Sequence, residues 1–177
     1  MTTESVPNDK ILLEIVTPQG RVLHTLVDEV TAPSVKGEFG LLPGHLPVLA
    51  ALRTGIVAYR RGSETTRCAV GRGFAEGGPN KLSILTDEYV AREGLDPVVV
   101  RKDLHEVQAQ LAKVESAAGG QPLAEATKLQ LIQRENWLAV QLELYGDPPP
   151  ATMRPHEEYG PPQSPEDEEK ARESGAD

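Results

Sequence analysis

The sequence predicts an α+β chain: an N-terminal all-β sandwich, then an antiparallel two-helix hairpin, then a disordered acidic, proline-rich tail. Turn chemistry recurs about every ten residues up to residue 90 or so. The apolar period then changes from two to about three and a half. After Gly146 apolar residues thin out while prolines and acids accumulate. These changes divide the chain into a flexible start (1–9), a sandwich (10–94), a hairpin (95–146) and a tail (147–177).

In the first region, short runs rich in Val, Ile, Leu and Thr are separated by Pro18-Gln19-Gly20, Pro43-Gly44, Thr54-Gly55, Arg61-Gly62-Ser63 and Gly78-Pro79-Asn80. That spacing is the signature of a small sandwich or barrel. In "KILLEIV", Ile11, Leu13 and Ile15 fall on one face and Leu12, Glu14 and Val16 on the other, as in a strand of a packed sheet. No helix of useful length fits between residues 10 and 90.

Asp96 followed by Pro97 is a helix start: the carboxylate accepts backbone N–H bonds and the proline already holds a helical φ. Val100, Leu104, Val107, Leu111 and Val114 then form one narrow stripe, a seam for a partner helix. Gly119 and Gly120 permit the exit, Pro122 opens a second helix, and Leu131, Leu138, Leu142 and Tyr145 give its stripe. Gly146 and Asp147-Pro148 end it. So short a connection makes the two helices antiparallel neighbours.

The net charge of −9 is unevenly spread. From Asp147 onward nine acidic residues stand against three basic ones, and seven of the fifteen prolines fall there, so the tail has too little apolar surface to offset its ordering entropy. No basic patch favours nucleic acid. The start "MTTESVPNDK" has the character of neither a signal nor a transit peptide, and no run of eighteen apolar residues occurs, so a cytosolic protein, docked at most peripherally on a membrane assembly, is expected. The single cysteine, Cys68, excludes an internal disulfide and reads as a buried structural thiol.

Catalytic chemistry finds no support. "GRGFAEGG" has Gly71 and Gly73, but the third glycine of a dinucleotide loop would fall on Glu76 and no helix follows. His24, His45, His105 and His156 lie on separate elements without ligand spacing, so no metal and no cofactor is expected. Ser34 and Ser83 lack a nucleophile-elbow pattern.

The stretch "VDEVTAPSVKGEFGLLPGHLPVLAALRTG", Val27–Gly55, followed by "GFAE" from Gly73 and "NKLSILTD" from Asn80, resembles the epsilon subunit of the F-type rotary ATP synthase, bacterial type. The resemblance spans about residues 10 to 145. It implies a non-catalytic rotor subunit whose sandwich binds the gamma stalk and stands on the c-subunit ring, passing ring rotation to the alpha/beta catalytic head. By the same resemblance Lys36, Glu38 and Phe39 face the c ring, while Leu42, His45 and Leu46 face the gamma stalk. The chain would then sit at the cytoplasmic face of a bacterial inner membrane. The other reading is a sandwich-and-hairpin adaptor for an unrelated complex.

The family pattern is not matched throughout. Arg72 precedes Gly73 where a glycine pair is frequent, and Ser34 follows Pro33 where glycine is frequent. Some members bind ATP through D-x-x-R-A at the first helix, but here Val99 holds the arginine position, so weak or no ATP binding is expected. The resemblance also implies a regulatory hairpin, with Leu104, Leu111 and Leu138 in its packing and Lys128 and Arg134 as the basic residues that approach the head. Those two are set against Glu125, Glu135 and Glu143, and the acidic tail comes next. Like charge therefore biases the hairpin toward a lowered, permissive state.

Overall fold

The structure is a computed structural model that describes residues 6–117 and 122–149. Ten strands among the described residues are followed by a short 3₁₀ turn, Arg92–Gly94, and two helices, α1 (Pro97–Ala117) and α2 (Pro122–Tyr145). The strands are β1 (Ile11–Thr17), β2 (Gly20–Val27), β3 (Glu29–Ser34), β4 (Gly37–Leu41) and β5 (Val48–Leu52), then β6 (Gly55–Arg61), β7 (Glu64–Val70), β8 (Gly73–Gly77), β9 (Lys81–Thr86) and β10 (Tyr89–Ala91).

Their order is β10-β7-β6-β3-β5-β8-β9-β1-β2, with β4 also paired to β3. The two layers of the sandwich are thus one continuous hydrogen-bonded path, folded over where β3 meets β5 at the single pair Ser34–Leu52. Most pairings are antiparallel, while β1 lies parallel to β9 with Ile15 opposite Ile84. The β1 pattern holds: Ile11, Leu13 and Ile15 are fully buried, with Val30, Val57, Val70, Leu82 and Ile84 in the same cluster. Cys68 belongs to this core, and burial pushes its thiol up to about 12, which suits a structural rather than a reactive thiol.

Gly73 is required by close approach rather than by a ligand. A Cβ there would lie 1.8 Å from the Leu85 carbonyl oxygen, so β8 and β9 could not pair at that point. Arg72 lies in the bend between β7 and β8, and its Nη2 donates to Gln133 Oε1 of α2 at 3.0 Å. Ser34, by contrast, is the last residue of β3 and is buried.

The helix start is as read: Asp96 Oδ1 accepts the N–H groups of Val98 (2.9 Å) and Val99 (3.4 Å). Val100, Leu104 and Val107 pack on Leu138 and Leu142, with Leu131 at the margin. Gly146, at φ 101°, ends α2, its N–H and that of Asp147 both returning to the Leu142 carbonyl. The Gly119-Gly120 exit and the tail beyond Pro149 lie outside the described residues.

The second stripe needs correcting. Tyr145 is not part of the hairpin seam; it is 40% exposed, and the Arg92 guanidinium sits 5.9 Å from its ring centroid. Instead α2 has two buried faces. Trp137, Val140 and Leu144 form a separate cluster with Ala69, Ile56, Val90 and Leu95, which fastens α2 to the outer face of β6, β7 and β10.

Candidate assembly surfaces

The β3–β4 connection is a two-residue turn, Val35-Lys36, between the paired Ser34 and Gly37. Ser34 Oγ donates to the Gly37 carbonyl at 2.7 Å and accepts the Lys36 N–H at 3.2 Å, so the hydroxyl itself stiffens the turn. Lys36 and Glu38 are exposed there. Phe39 is half-buried and packs against the sandwich core, so the exposed charged side chains of the turn are Lys36 and Glu38.

The loop between β4 and β5 is pinned by the Gly44 N–H to the Pro79 carbonyl at 2.6 Å, and the His45 N–H closes on the Leu42 carbonyl at 3.1 Å. His45 Nδ1 lies 2.7 Å from the Leu46 carbonyl oxygen, which requires an Nδ1–H donor. The histidine therefore shapes the loop, with Leu42 and Leu46 held outward at 53% and 79% exposure.

From Leu46 an apolar stripe continues across the outer face of β5, β8 and β9, where Leu49, Phe74 and Leu85 are all exposed. Phe74 stands opposite Ala51 and Leu85, and Leu85 opposite Val16, so these side chains are cross-strand neighbours on one surface. The sequence reading missed the stripe. Its local signal was the doublet Ile84-Leu85, apolar on both faces of a strand.

Beside the stripe the same face turns polar. Glu14 accepts Lys81 Nζ at 2.8 Å and Arg21 Nη1 at 3.0 Å, with His24 Nδ1 at 3.3 Å. The Lys81 hydrogen bond and then the Arg21 one hold its carboxyl down to about 2. Among the described residues no group of three or more metal-ligating side chains occurs.

The hairpin residues divide. Leu104, Leu111 and Leu138 are buried as packing residues. Lys128 is half-buried and Arg134 exposed, but the expected opposition of these bases to acids of α2 fails for two members. Arg134 Nη1 reaches Glu88 of the sandwich at 3.7 Å, and Glu135 is buried in the α1–α2 seam, accepting Gln108 Nε2 at 3.0 Å. Burial, and then the neighbouring Asp87, raise the Glu88 carboxyl, with Arg134 and Arg72 pulling the other way. No helix is long and apolar enough to cross a membrane among the described residues.

Residues 10–92 match the model of the ATP synthase delta/epsilon chain β-sandwich domain. Over 99 residues the chain is 37% identical to an ATP synthase epsilon chain of Magnetococcus marinus, covering 56% of this chain and 72% of that one. An ATP synthase epsilon chain of Nitratidesulfovibrio vulgaris is 40% identical over 102 residues, or 58% and 76% of the two chains. A chain in the cryo-EM structure of the Euglena gracilis mitochondrial ATP synthase, OSCP/F1/c-ring, superposes with a TM-score of 0.62 at 23% identity, covering 81% of this chain and 84% of that one, a likeness of fold. A sandwich with a docked helical hairpin, matched over most of their length by relatives of one kind, makes this chain a member of the ATP synthase epsilon chain family.

Proposed function

We propose that the chain is a non-catalytic central-stalk subunit of a rotary, proton-translocating ATP synthase, coupling rotation of the c ring to ATP synthesis in the alpha/beta head. The observation that carries this is the open apolar stripe Leu46, Leu49, Phe74 and Leu85 on a sandwich of the epsilon family. Exposed apolar patches of this kind mark a surface meant for another protein. The gamma subunit is the partner assigned to it, with Leu42, His45 and Leu46 at one end. The Lys36–Glu38 turn is the foot on the c ring, where ionic and hydrogen-bonding groups meet a polar loop surface.

A close-packed sandwich transmits force with little give, and the hairpin, fastened through Trp137, modulates ATP hydrolysis by leaving or keeping its seat. The subunit would lie peripherally at the cytoplasmic face of a bacterial inner membrane. An adaptor for an unrelated complex is not favoured by the family match.

The foot is tested by replacing Lys36 and Glu38 together with alanine. The isolated subunit should keep its stability to within about 0.5 kcal/mol, as exposed turn substitutions usually do. In membranes the ratio of ATP-driven proton pumping to hydrolysis should fall. An unchanged ratio removes the foot from this turn.

A further inference from the structure

Glu88 stands at the boundary between the sandwich and α2, and its backbone is fixed there. The Gly71 N–H and the Thr86 hydroxyl both donate to its carbonyl, at 2.8 and 3.1 Å, and the Asp87 N–H donates to the Arg72 carbonyl at 3.1 Å. Gly71 makes room for this: a Cβ there would lie 2.1 Å from Asp87 Oδ1, so the carboxylate fills the space a side chain would take. Two successive acids are thereby held against the bend between β7 and β8.

Two clefts share these acids. One, of about 200 Å³, lies between Thr54 and Arg72 of the sandwich and Gln130, Gln133 and Arg134 of α2. The other, of about 330 Å³, runs past Thr17, Gln19 and Tyr89 to Trp137. α2 thus contributes a wall to both, and lifting it off the sandwich opens both to water. The charged groups facing Glu88 are Asp87 on its own segment, Arg72 from the bend, and Arg134 from α2, whose Nη1 stands 3.7 Å from Glu88 Oε1. The β1–β2 turn presents the uncharged Thr17 and Gln19, and the Tyr89 phenol, pushed up to about 12 chiefly by burial, stays neutral.

Glu88 is half-buried, and burial, then Asp87, raise its carboxyl against the pull of Arg134 and Arg72. Asp87 and Arg72 belong to the sandwich and act on Glu88 whether or not α2 is seated. Seating changes burial and the distance to Arg134, and of these two burial is the larger influence. A carboxyl whose seated value lies above its unseated one takes up a proton on seating. That contribution is present in full below the ordinary value of 4.5 and is lost as pH rises through the seated value.

We propose that Glu88 is a pH-sensitive latch of the hairpin: with its carboxyl neutral α2 stays on the sandwich, and with it ionised beside Asp87 the seat loosens. The consequence for ATP hydrolysis rests on the proposed function. An acid interior keeps the hairpin seated and leaves proton-exporting hydrolysis open, while an alkaline one releases the hairpin and restrains it.

Trp137, the one tryptophan of the chain, lies in the seat and reports it by fluorescence. In the isolated full chain its urea midpoint should fall between about pH 5 and about pH 8. Glu88→Gln, which keeps the shape and neutrality of the protonated carboxyl, should hold the acid-side midpoint at both. Arg134→Gln, which removes the opposing cation, should steepen the fall. A parent midpoint equal at the two pH values, or a Glu88→Gln variant that follows the parent's slope, overturns the latch. So does a midpoint that rises toward the alkaline end, the mark of an Arg134–Glu88 pair that outweighs burial.

Amide exchange, corrected for its intrinsic pH dependence, should change several-fold in α2 and stay level in β9. Exchange in β9 that moves with α2 assigns the proton to folding of the whole chain and overturns the latch. In the assembled enzyme, hydrolysis by the Glu88→Gln variant relative to the parent should be near one at the acid end and rise several-fold toward the alkaline end. A shifted midpoint with a flat ratio keeps the latch and overturns its part in ATP hydrolysis alone.

Discussion

On one side of the sandwich, Ile56, Ala69 and Val90 are apolar outward-facing residues of β6, β7 and β10, and Trp137, Val140 and Leu144 of α2 cover them. On the other side, Leu49, Phe74 and Leu85 occupy outward positions of β5, β8 and β9 and nothing in the described chain covers them. Burying apolar area stabilises by about 25 cal/mol per Å², so a surface left open forgoes that gain in the isolated chain. The covered face is completed by the chain itself; under the proposed function the open one is completed by assembly. The same pair of faces separates two kinds of residue: those whose loss unfolds or undocks the subunit, and those whose loss leaves a folded subunit without a partner.

The largest effect is expected on the covered face. Trp137 is 6% exposed at the centre of its cluster, and truncating a buried Trp typically costs about 3–5 kcal/mol. Trp137→Ala should therefore undock α2 while the β1–β9 core stays folded. The helical signal would melt separately from the sheet in urea, and exchange protection would fall in α2 but not in β9. A single coincident transition, as stable as that of the parent, would mean that the docking is not carried by this face.

A smaller effect belongs to the polar end of the open face. The Glu14 carboxyl is held at about 2 against an ordinary 4.5, so the folded state releases its proton more readily than the unfolded one. Its contribution is fully present above pH ~4.5 and is lost as pH falls toward 2, because a lowered folded-state value favours the ionised native form. Glu14→Gln should flatten the loss of Tm across that window and leave the slope above pH 5 unaltered. Equal slopes in the two proteins would show that the Lys81 and Arg21 bonds contribute nothing to folding.

The two faces were not equally legible in the sequence. Strand alternation in "KILLEIV" and the Asp96-Pro97 start are local signals, and the structure keeps both, with Ile11, Leu13 and Ile15 buried and Asp96 capping. The docking of α2 was hidden because two seams overlap in "WLAVQLEL". Leu138 and Leu142 serve α1, while Trp137, Val140 and Leu144 serve the sandwich, and two stripes side by side erase the helical period. Arg72–Gln133, Arg134–Glu88 and Gln108–Glu135 join positions far apart in sequence, which no spacing rule reaches. The open stripe was hidden for a related reason: Leu49, Phe74 and Leu85 sit on three strands, each contributing one apolar residue that looks ordinary by itself. Of the proposed foot, the turn was legible through Lys36, Gly37 and Glu38, but the inward lean of Phe39 depends on its β3 partner Ala32 and the core beneath.

The sharpest division between the two faces is whether the open one is completed by other subunits. Leu49→Asp with Phe74→Asp places two charges on the stripe without touching the core, and the isolated variant should unfold within about 0.5 kcal/mol of the parent. Purified from cells that make the whole complex, the parent chain should come away with the stalk and catalytic subunits, and the variant should come away alone. A folded variant that still purifies with the full set of subunits, at undiminished yield, would contradict the central claim.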